Sequence, residues 1–240
     1  MTAFSPLVVW QDVECGGYRA DMGLWRELAA AADGPVLEVG AGTGRVALEL
    51  ARAGHDVTAL DCEPALLEAL SARARAAGLT VATAVADAGE FALGRHFALV
   101  IVPMQTIQLL PERAGLLAAT HRQLEPGGLL AVAITAALED FGDLEGQLPD
   151  PDLGAVADWR FASQPTAVRA LAAATRIERV RRSFAPDGSV IEEDDAIELV
   201  HLTAPQLEAE GRAAGFSALP ARSIPATAEH VGSEVVALRA

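Results

Sequence analysis

Short apolar runs alternate with amphipathic stretches between about residues 35 and 135 of the chain. Because the runs are short and rich in Val, Leu and Ile, they are typical of strands buried on both faces of a parallel sheet. Their order predicts a doubly wound α/β sheet with right-handed crossovers. The predicted strands are Val36–Val39, Asp56–Leu60, Thr80–Val85, Phe97–Val102 and Leu129–Ile134. The predicted helices between them are Arg45–Ala53, Pro64–Ala77 and Glu112–Leu124.

The pattern changes after Ile134. Residues Ala136–Gln164 are rich in Gly, Pro and Asp, which indicates a loop that carries a few aromatic residues. Further on, Thr203 and Gln206 have the spacing of a capping box, which predicts a helix that ends near Gly215. The chain closes with two predicted strands, Ala218–Ile224 and Ser233–Leu238.

A β-hairpin is predicted between the loop and the capping box, around the turn Ala-Pro-Asp-Gly. Its register follows from charge, because pairing Ala185 with Ser189 places arginines opposite carboxylates. The predicted pairs are Arg182 with Glu192, Arg181 with Glu193, Arg179 with Asp195, Arg176 with Glu198 and Ile177 with Ile197. Cross-strand pairing therefore accounts for the arginine cluster, and an anion-binding patch is the alternative interpretation.

Composition narrows the range of functions. The 240 residues, 51% of them hydrophobic, suffice for one large core with or without a small appended lobe. The net charge of −15 disfavours a nucleic-acid partner and favours a cationic substrate. All 18 basic residues are arginines, so Schiff-base chemistry and a P-loop lysine are excluded.

We expect a cytoplasmic protein without a membrane partner. No apolar run approaches the roughly 20 residues that a spanning helix needs, and the amino terminus lacks the cationic start of a secretory signal. The two cysteines, Cys15 and Cys62, form no CxxC pair, and the five histidines stand apart in the sequence. Neither pattern predicts a disulfide framework or a metal site.

A glycine-rich turn, Gly40-Ala-Gly42-Thr-Gly44, follows the first predicted strand. Glycines allow a sharp bend and a close approach to a ligand, and the helix that follows offers unpaired N–H groups. The segment from Gly42 to Ala47 also fits the dinucleotide-binding pattern, and Asp61 at the end of the second strand suits the ribose of either cofactor type.

Glu38 distinguishes the two cofactor types. A carboxylate at the tip of a buried strand is unfavourable beside a diphosphate, whereas it suits a cationic amino group. S-adenosylmethionine (SAM) carries an ammonium and a sulfonium and has no phosphate, so the sequence favours SAM over a dinucleotide.

The segment Glu38–Gly44 resembles the first motif of the class I SAM-dependent methyltransferases. Further segments resemble this family's motifs in the same order, namely Val57–Leu67, Val85–Phe91, Phe97–Met104 and Leu124–Leu130. One residue departs from the pattern: Ala98 stands where the family often has Asp. That position is usually structural, so the departure does not touch the chemistry.

The resemblance implies a Rossmann-like, seven-stranded and mostly parallel sheet with an antiparallel last strand and an inserted β-hairpin lid. Residues 1–135 would form the SAM-binding core with an amino-terminal cap segment, residues 136–203 the lid, and residues 204–240 a return to the core. The lid is similar to that of glycine and amino-sugar N-methyltransferases. The resemblance implies that Asp61 binds the ribose diol and Asp87 the adenine amino group. The cofactor-binding residues that it implies are Glu38, Gly40, Ala41, Gly42, Gly44, Asp61, Cys62, Asp87, Ala88, Pro103 and Met104.

The implied activity is methyl transfer to a small-molecule acceptor, to nitrogen in preference to oxygen, by a monomer or a homodimer. Since the cofactor supplies the electrophile, no nucleophilic side chain is required, although a hydroxyl acceptor would need a general base. No motif identifies that base. The catalytic candidates are Tyr18, Gln108 and His201, and the candidate substrate contacts are Gln105, Gln108 and Trp159.

The sequence leaves open the role of Arg45 and two other classes of protein. Arg45 opens a helix, where its charge is unfavourable, so it pairs with a carboxylate, contacts the substrate or is solvated. The chain would be an NAD(P)-dependent oxidoreductase if the glycine turn held a dinucleotide. A non-catalytic SAM-binding protein would share the same turn and the same acids.

Overall fold

The computed structural model describes residues 4–135, 148–227 and 230–240. The chain forms two compact units, which we call the core unit (Tyr18–Ala136 and Leu202–Ala240) and the antiparallel unit (Met1–Gly17 and Ala137–His201). In chain order the elements are α1 (Pro6–Cys15), α2 (Met22–Ala31), β1 (Val36–Val39), α3 (Ala47–Arg52), β2 (Val57–Asp61), α4 (Pro64–Ala76), β3 (Ala82–Val85), β4 (Phe97–Val102), a 3-10 helix (Thr106–Leu109), α5 (Ala114–Gln123), β5 (Leu124–Ile134), β6 (Asp152–Val156), β7 (Trp159–Ala170), β8 (Ala174–Phe184), β9 (Val190–Val200), α6 (Ala204–Ala213), β10 (Ser217–Ile224) and β11 (Ser233–Arg239).

The core unit contains a seven-stranded sheet in the order β10-β11-β5-β4-β1-β2-β3. Its central strands pair in parallel, and β11 runs antiparallel to both of its neighbours. The predicted α/β fold with an antiparallel last strand is therefore confirmed. Because β1, β2, β4 and β5 run in parallel, their carboxyl ends meet at one edge of the sheet, where ligands of such folds bind.

The sheet of the core unit is covered on both faces. Along β4, Val100 and Val102 belong to one buried apolar cluster, whereas Leu99 and Ile101 belong to the other. This alternation explains why the sequence of β4 is continuously apolar. The largest side chain buried among the second cluster is Trp25 of α2, which is fully inaccessible to solvent.

The antiparallel unit contains a four-stranded sheet in the order β6-β7-β8-β9. The predicted register of the hairpin is confirmed, since Arg182 pairs with Glu192, and the four other predicted pairs are also opposite one another. The Ala185 N–H donates to the Ser189 carbonyl oxygen at 2.9 Å, which closes the turn as expected.

The prediction of a loop over Ala136–Gln164 is wrong for most of its described part. Residues 136–147 lie outside the described residues. Of residues 148–164, most belong to β6 and to the first half of β7. Pro149, Pro151 and Gly154 favour a loop locally. Antiparallel pairing of β7 with both β6 and β8 overrides that local preference. Gly154 also has a packing role, because a side chain there would collide with Val13 of α1.

Helix α1 packs against β6 and β7 within the antiparallel unit. The rings of Trp10 and Phe161 meet edge to face with centroids 5.5 Å apart. The segment Met1–Gly17, which the sequence predicts as part of a cap on the core, belongs by its contacts to the antiparallel unit.

Membrane-spanning helices and metal-binding clusters are not found among the described residues. None of their helices has the length and apolar character needed to cross a membrane. Within the same ranges, no group of three or more His, Cys, Asp or Glu side chains is arranged to hold a metal ion.

Candidate active site

The glycine loop, Gly40–Gly44, leaves the carboxyl end of β1 and leads to α3. The N–H groups of Gly40 and Ala41 both donate to the Leu60 carbonyl oxygen, at 2.8 and 3.0 Å, which ties the loop to β2. Gly40 has a φ of 73°, and a Cβ atom there would collide with the Thr106 side chain. Glycine is therefore required at this position both by backbone conformation and by the close approach of the segment after β4.

Glu38 is the most unusual side chain at this edge. It is 2% exposed, and one of its carboxylate oxygens, Oε2, has no hydrogen-bond partner in the structure. Burial raises the pKa of Glu38 to about 8, against the lowering effects of the Arg45 charge and of a hydrogen bond from the Ala47 backbone. The nearby carboxylates of Asp21 and Asp61 raise it further. A buried acid with a free oxygen is the arrangement that a bound cation would complete.

Asp61 connects the end of β2 to the glycine loop. Its Oδ2 accepts a hydrogen bond from the Gly42 N–H at 2.7 Å, and its Oδ1 accepts one from the Glu63 N–H at 3.0 Å. The side chain is 8% exposed. The structure therefore brings Glu38, the glycine loop and Asp61 together at one sheet edge, as the sequence predicts.

The remaining predicted cofactor residues lie after β2, β3 and β4. Asp87 is exposed, and its Oδ1 accepts a hydrogen bond from the Gly89 N–H at 2.6 Å. Cys62 is exposed, Ala88 is half-buried and Pro103 is buried. Met104 has a φ of 54°, a left-handed conformation that is unfavourable for a residue with a side chain. Such strain at the carboxyl edge of a parallel sheet is typical of functional sites.

Of the two glutamines after β4, Gln108 is bound by the protein itself. Its Nε2 donates to the Thr135 carbonyl oxygen at 3.1 Å, and its Oε1 accepts from the Thr135 N–H at 2.8 Å. These two bonds hold the 3-10 helix against the end of β5, so a structural role accounts for the buried amide. Gln105 is half-buried beside Met104, and its role as a substrate contact stays a prediction.

Tyr18 is 5% exposed, and burial together with the Asp21 charge raises the pKa of its hydroxyl. Its ring lies 4.8 Å, between centroids, from the ring of His230, which precedes β11 at the same sheet edge. His230 is not among the site residues that the sequence predicts. No motif surrounds it, and its position at this edge depends on the antiparallel course of β11.

The other candidates belong to the antiparallel unit. Trp159 packs edge to face against Phe4, with centroids 5.5 Å apart. His201 is exposed, and its Nε2 lies 3.1 Å from the Thr175 hydroxyl oxygen. Their assigned roles in catalysis and substrate binding stay predictions.

Of the three roles that the sequence allows for Arg45, the structure shows pairing with a carboxylate. Its two terminal nitrogens donate to the two carboxylate oxygens of Asp21, each at 2.7 Å.

Comparison with known proteins agrees with this geometry. Residues 36–128 match a family described as a methyltransferase domain. No curated protein sequence matches the chain.

Solved structures match almost the whole chain. DesVI of Streptomyces venezuelae is 22% identical, with 98% of this chain and 99% of that chain covered and a TM-score of 0.72. SAM-bound CalS10, an amino pentose methyltransferase from Micromonospora echinaspora, is 22% identical over 100% of this chain and 99% of that chain, with a TM-score of 0.70. The sugar N-methyltransferase KedS8 from Streptoalloteichus is 18% identical over 98% and 96%, with a TM-score of 0.69.

At these identities the solved structures establish the fold. Residues 36–128 thus match a methyltransferase domain, and the strand order and the glycine loop give the chain the same fold as these solved methyltransferases.

Proposed function

We propose that the chain is an enzyme that transfers the methyl group of SAM to a nitrogen atom of a small-molecule acceptor. The observation that carries this proposal is the buried Glu38 carboxyl group with its unpartnered oxygen. A buried polar atom left unsatisfied costs on the order of 1–3 kcal/mol. The ammonium of the amino-acid end of SAM would donate a hydrogen bond to Oε2, whereas an ionised diphosphate has no donor to offer this oxygen.

The other residues of the edge fit the rest of SAM. The glycine loop permits a close approach of the ligand to the backbone. Asp61 already accepts two backbone hydrogen bonds, but a carboxylate has about four acceptor positions, so capacity remains for the ribose hydroxyls. The exposed Asp87 suits the adenine amino group, while Cys62, Ala88, Pro103 and Met104 would flank the nucleoside.

When bound, SAM supplies an electrophilic methyl group on its sulfonium. The chain then has to orient the acceptor and keep its amine neutral. Among the described residues at this edge, His230 is suited to take a proton from the ammonium form of the acceptor. Its ring packs against the Tyr18 ring. The net charge of −15 favours the approach of a cationic acceptor. CalS10 is described as an amino pentose methyltransferase and KedS8 as a sugar N-methyltransferase, which makes amino sugars the first acceptors to test.

Calorimetric titration tests the cofactor assignment. We expect the wild-type chain to bind SAM and S-adenosylhomocysteine (SAH), and Glu38→Gln to weaken binding by more than tenfold. Glu125→Gln is the matched control, because Glu125 lies near the start of β5, at the amino edge of the sheet. Tight binding of a nicotinamide dinucleotide without SAM binding would contradict the proposal.

A turnover screen tests the acceptor class. The chain and methyl-labelled SAM would be incubated with amino sugars, other small amines and phenols. Label transfer to the amines supports nitrogen as the accepting atom. Transfer to phenols alone would contradict that part, and cofactor binding without turnover on any acceptor would favour a non-catalytic SAM-binding protein.

A further inference from the structure

A buried ion pair joins the segment before α2 to the end of the glycine loop. Asp21 and Arg45 face each other with two parallel hydrogen bonds of 2.7 Å, and their side chains are 1% and 9% exposed. A bidentate pair of this kind fixes both the distance and the orientation of the guanidinium. Because Arg45 directly follows Gly44, the pair also fixes the last residue of the loop.

Three further contacts hold the pair in place. Arg45 donates to the Tyr18 carbonyl oxygen at 3.0 Å, and its guanidinium carbon lies 5.2 Å from the centroid of the Tyr18 ring. The indole N–H of Trp25 donates to Asp21 Oδ2 at 2.8 Å. Tyr18 and Asp21 thus contact the Arg45 side chain directly, and Trp25 fixes the Asp21 carboxylate.

Ordinary helix rules do not account for either partner. Arg45 lies just before α3, where a positive charge opposes the helix dipole. Asp21 occupies the N-cap position of α2 but makes no capping hydrogen bond with its side chain. Both residues therefore forgo the locally favourable arrangement to face one another, which indicates a requirement set by the site.

Both members of the pair act on the Glu38 carboxyl group. The charged groups that act on its carboxyl are Arg45, which favours the ionised form, and Asp21 and Asp61, which disfavour it. Burial adds to the disfavouring side, so that the pKa is raised to about 8 and the free protein holds Glu38 protonated at neutral pH.

We propose that the Asp21–Arg45 pair is a positioning element that holds the glycine loop and places the Arg45 charge where it acts on the Glu38 carboxyl group, which receives the ammonium of the cofactor. This inference rests on the proposed function. On binding, the ammonium keeps its proton, Glu38 releases its proton to solvent, and a carboxylate–ammonium pair forms. No covalent bond other than that O–H bond changes.

The test is calorimetric titration of SAH between pH 7 and 8.5 in buffers of different ionisation enthalpy, which counts the protons released. For the wild-type chain we expect proton release, with an affinity that rises with pH by up to about tenfold per unit. Arg45→Gln removes the favourable charge. The pKa of Glu38 should rise by about one unit, which weakens binding at pH 7 by about tenfold. Proton release on binding should then persist to a higher pH than in the wild type. Asp21→Asn should change the proton count in the opposite direction, with fewer protons released at pH 7.

The opposite signs separate this role from a purely structural one, which predicts that both variants weaken binding with an unchanged proton count. Arg45→Lys keeps the charge and should keep the wild-type count. Arg113→Gln is the control, since it breaks another bidentate pair of the core unit, between Arg113 and Glu210. If Arg45→Gln does not fold, the direction of the change in Asp21→Asn decides.

Equal proton counts in all variants, or shifts of the same sign, would overturn the inference while leaving SAM binding intact. A wild-type chain that binds neither SAM nor SAH would instead overturn the proposed function, so the two failures are distinguishable.

Discussion

Two glutamates, the largely buried Glu14 of the antiparallel unit and the buried Glu38 of the core unit, show how different surroundings give the same side chain different roles. Glu14 accepts hydrogen bonds from Ser163 and Arg181 and forms an ion pair with Arg179 at 2.7 Å. Burial raises the pKa of Glu14, but the Arg181 hydrogen bond and the Arg179 charge outweigh it and hold the pKa below its usual value. Glu38 has a raised pKa and a free oxygen. A satisfied buried acid indicates structure, whereas an unsatisfied one indicates a ligand.

The largest expected effect separates the two acids by stability. Glu14→Gln removes the carboxylate that Arg179 and Arg181 contact at 2.7 Å and leaves Asp195 as their acidic partner, so we expect the free energy of unfolding to fall by about 2–3 kcal/mol. Glu38→Gln removes an acid that is protonated at pH 7 and should leave the stability of the cofactor-free protein unchanged or higher. Chemical denaturation of both variants checks the difference. Equal destabilisation by the two substitutions would contradict the contrast.

The pH dependence of stability should differ in sign between the two acids. The folded-state pKa of Glu14 is lowered, so its contribution is present at neutral pH and is lost as the pH falls through the folded-state value. The folded-state pKa of Glu38 is raised to about 8, so stability is lost as the pH rises from about 4.5 towards 8, by up to about 1.4 kcal/mol per unit. Denaturation of the cofactor-free wild type and Glu38→Gln at pH 6 and pH 8 measures this slope. A slope that is unchanged in Glu38→Gln would count against the assignment.

The glycine loop offers a third test near Glu38. Gly40→Ala forces a side chain onto a backbone with a φ of 73° and into the Thr106 side chain. The left-handed conformation alone costs roughly 1–2 kcal/mol. Thr106→Ser removes the methyl group that lies nearest, so the double variant should recover part of the stability and of the SAH affinity. If Thr106→Ser gives no recovery, the two segments are not in the contact described.

The smallest effect is expected in the hairpin of the antiparallel unit. Arg182 and Glu192 form an ion pair at 2.6 Å, but their side chains are 39% and 57% exposed. Exposed pairs contribute about 0–1 kcal/mol because water and salt screen them. We therefore expect Arg182→Gln to change stability by less than 1 kcal/mol and to leave SAH binding unchanged. A loss of binding in this variant would revive the interpretation of the arginines as an anion site.

Local sequence pattern predicted the features that depend on neighbouring residues. The strands β1 and β4 match their predicted bounds, and the charge pattern gave the register of the hairpin. The capping box at Thr203 is present, because it depends on contacts three residues apart. The Glu38 and Asp61 positions were also predicted, since carboxyl ends of parallel strands necessarily meet at one edge.

Features that depend on contacts between different segments were not predicted. Strands β6 and β7 form in a stretch with loop composition, because neighbouring strands supply the hydrogen bonds: β7 pairs with both β6 and β8. The packing of α1 against that sheet, the position of His230 beside Tyr18, and the choice of Asp21 as the partner of Arg45 likewise join segments far apart in the chain. No periodicity or spacing within a single segment encodes such contacts.

The most direct test of the central claim, that Glu38 receives the ammonium of the cofactor, is proton-linked titration of SAH into the wild-type chain and Glu38→Gln at pH 7. The account predicts that the wild type releases close to one proton on binding, and that Glu38→Gln binds at least tenfold more weakly and releases almost none. Equal affinity and an equal proton count in the two proteins would contradict it.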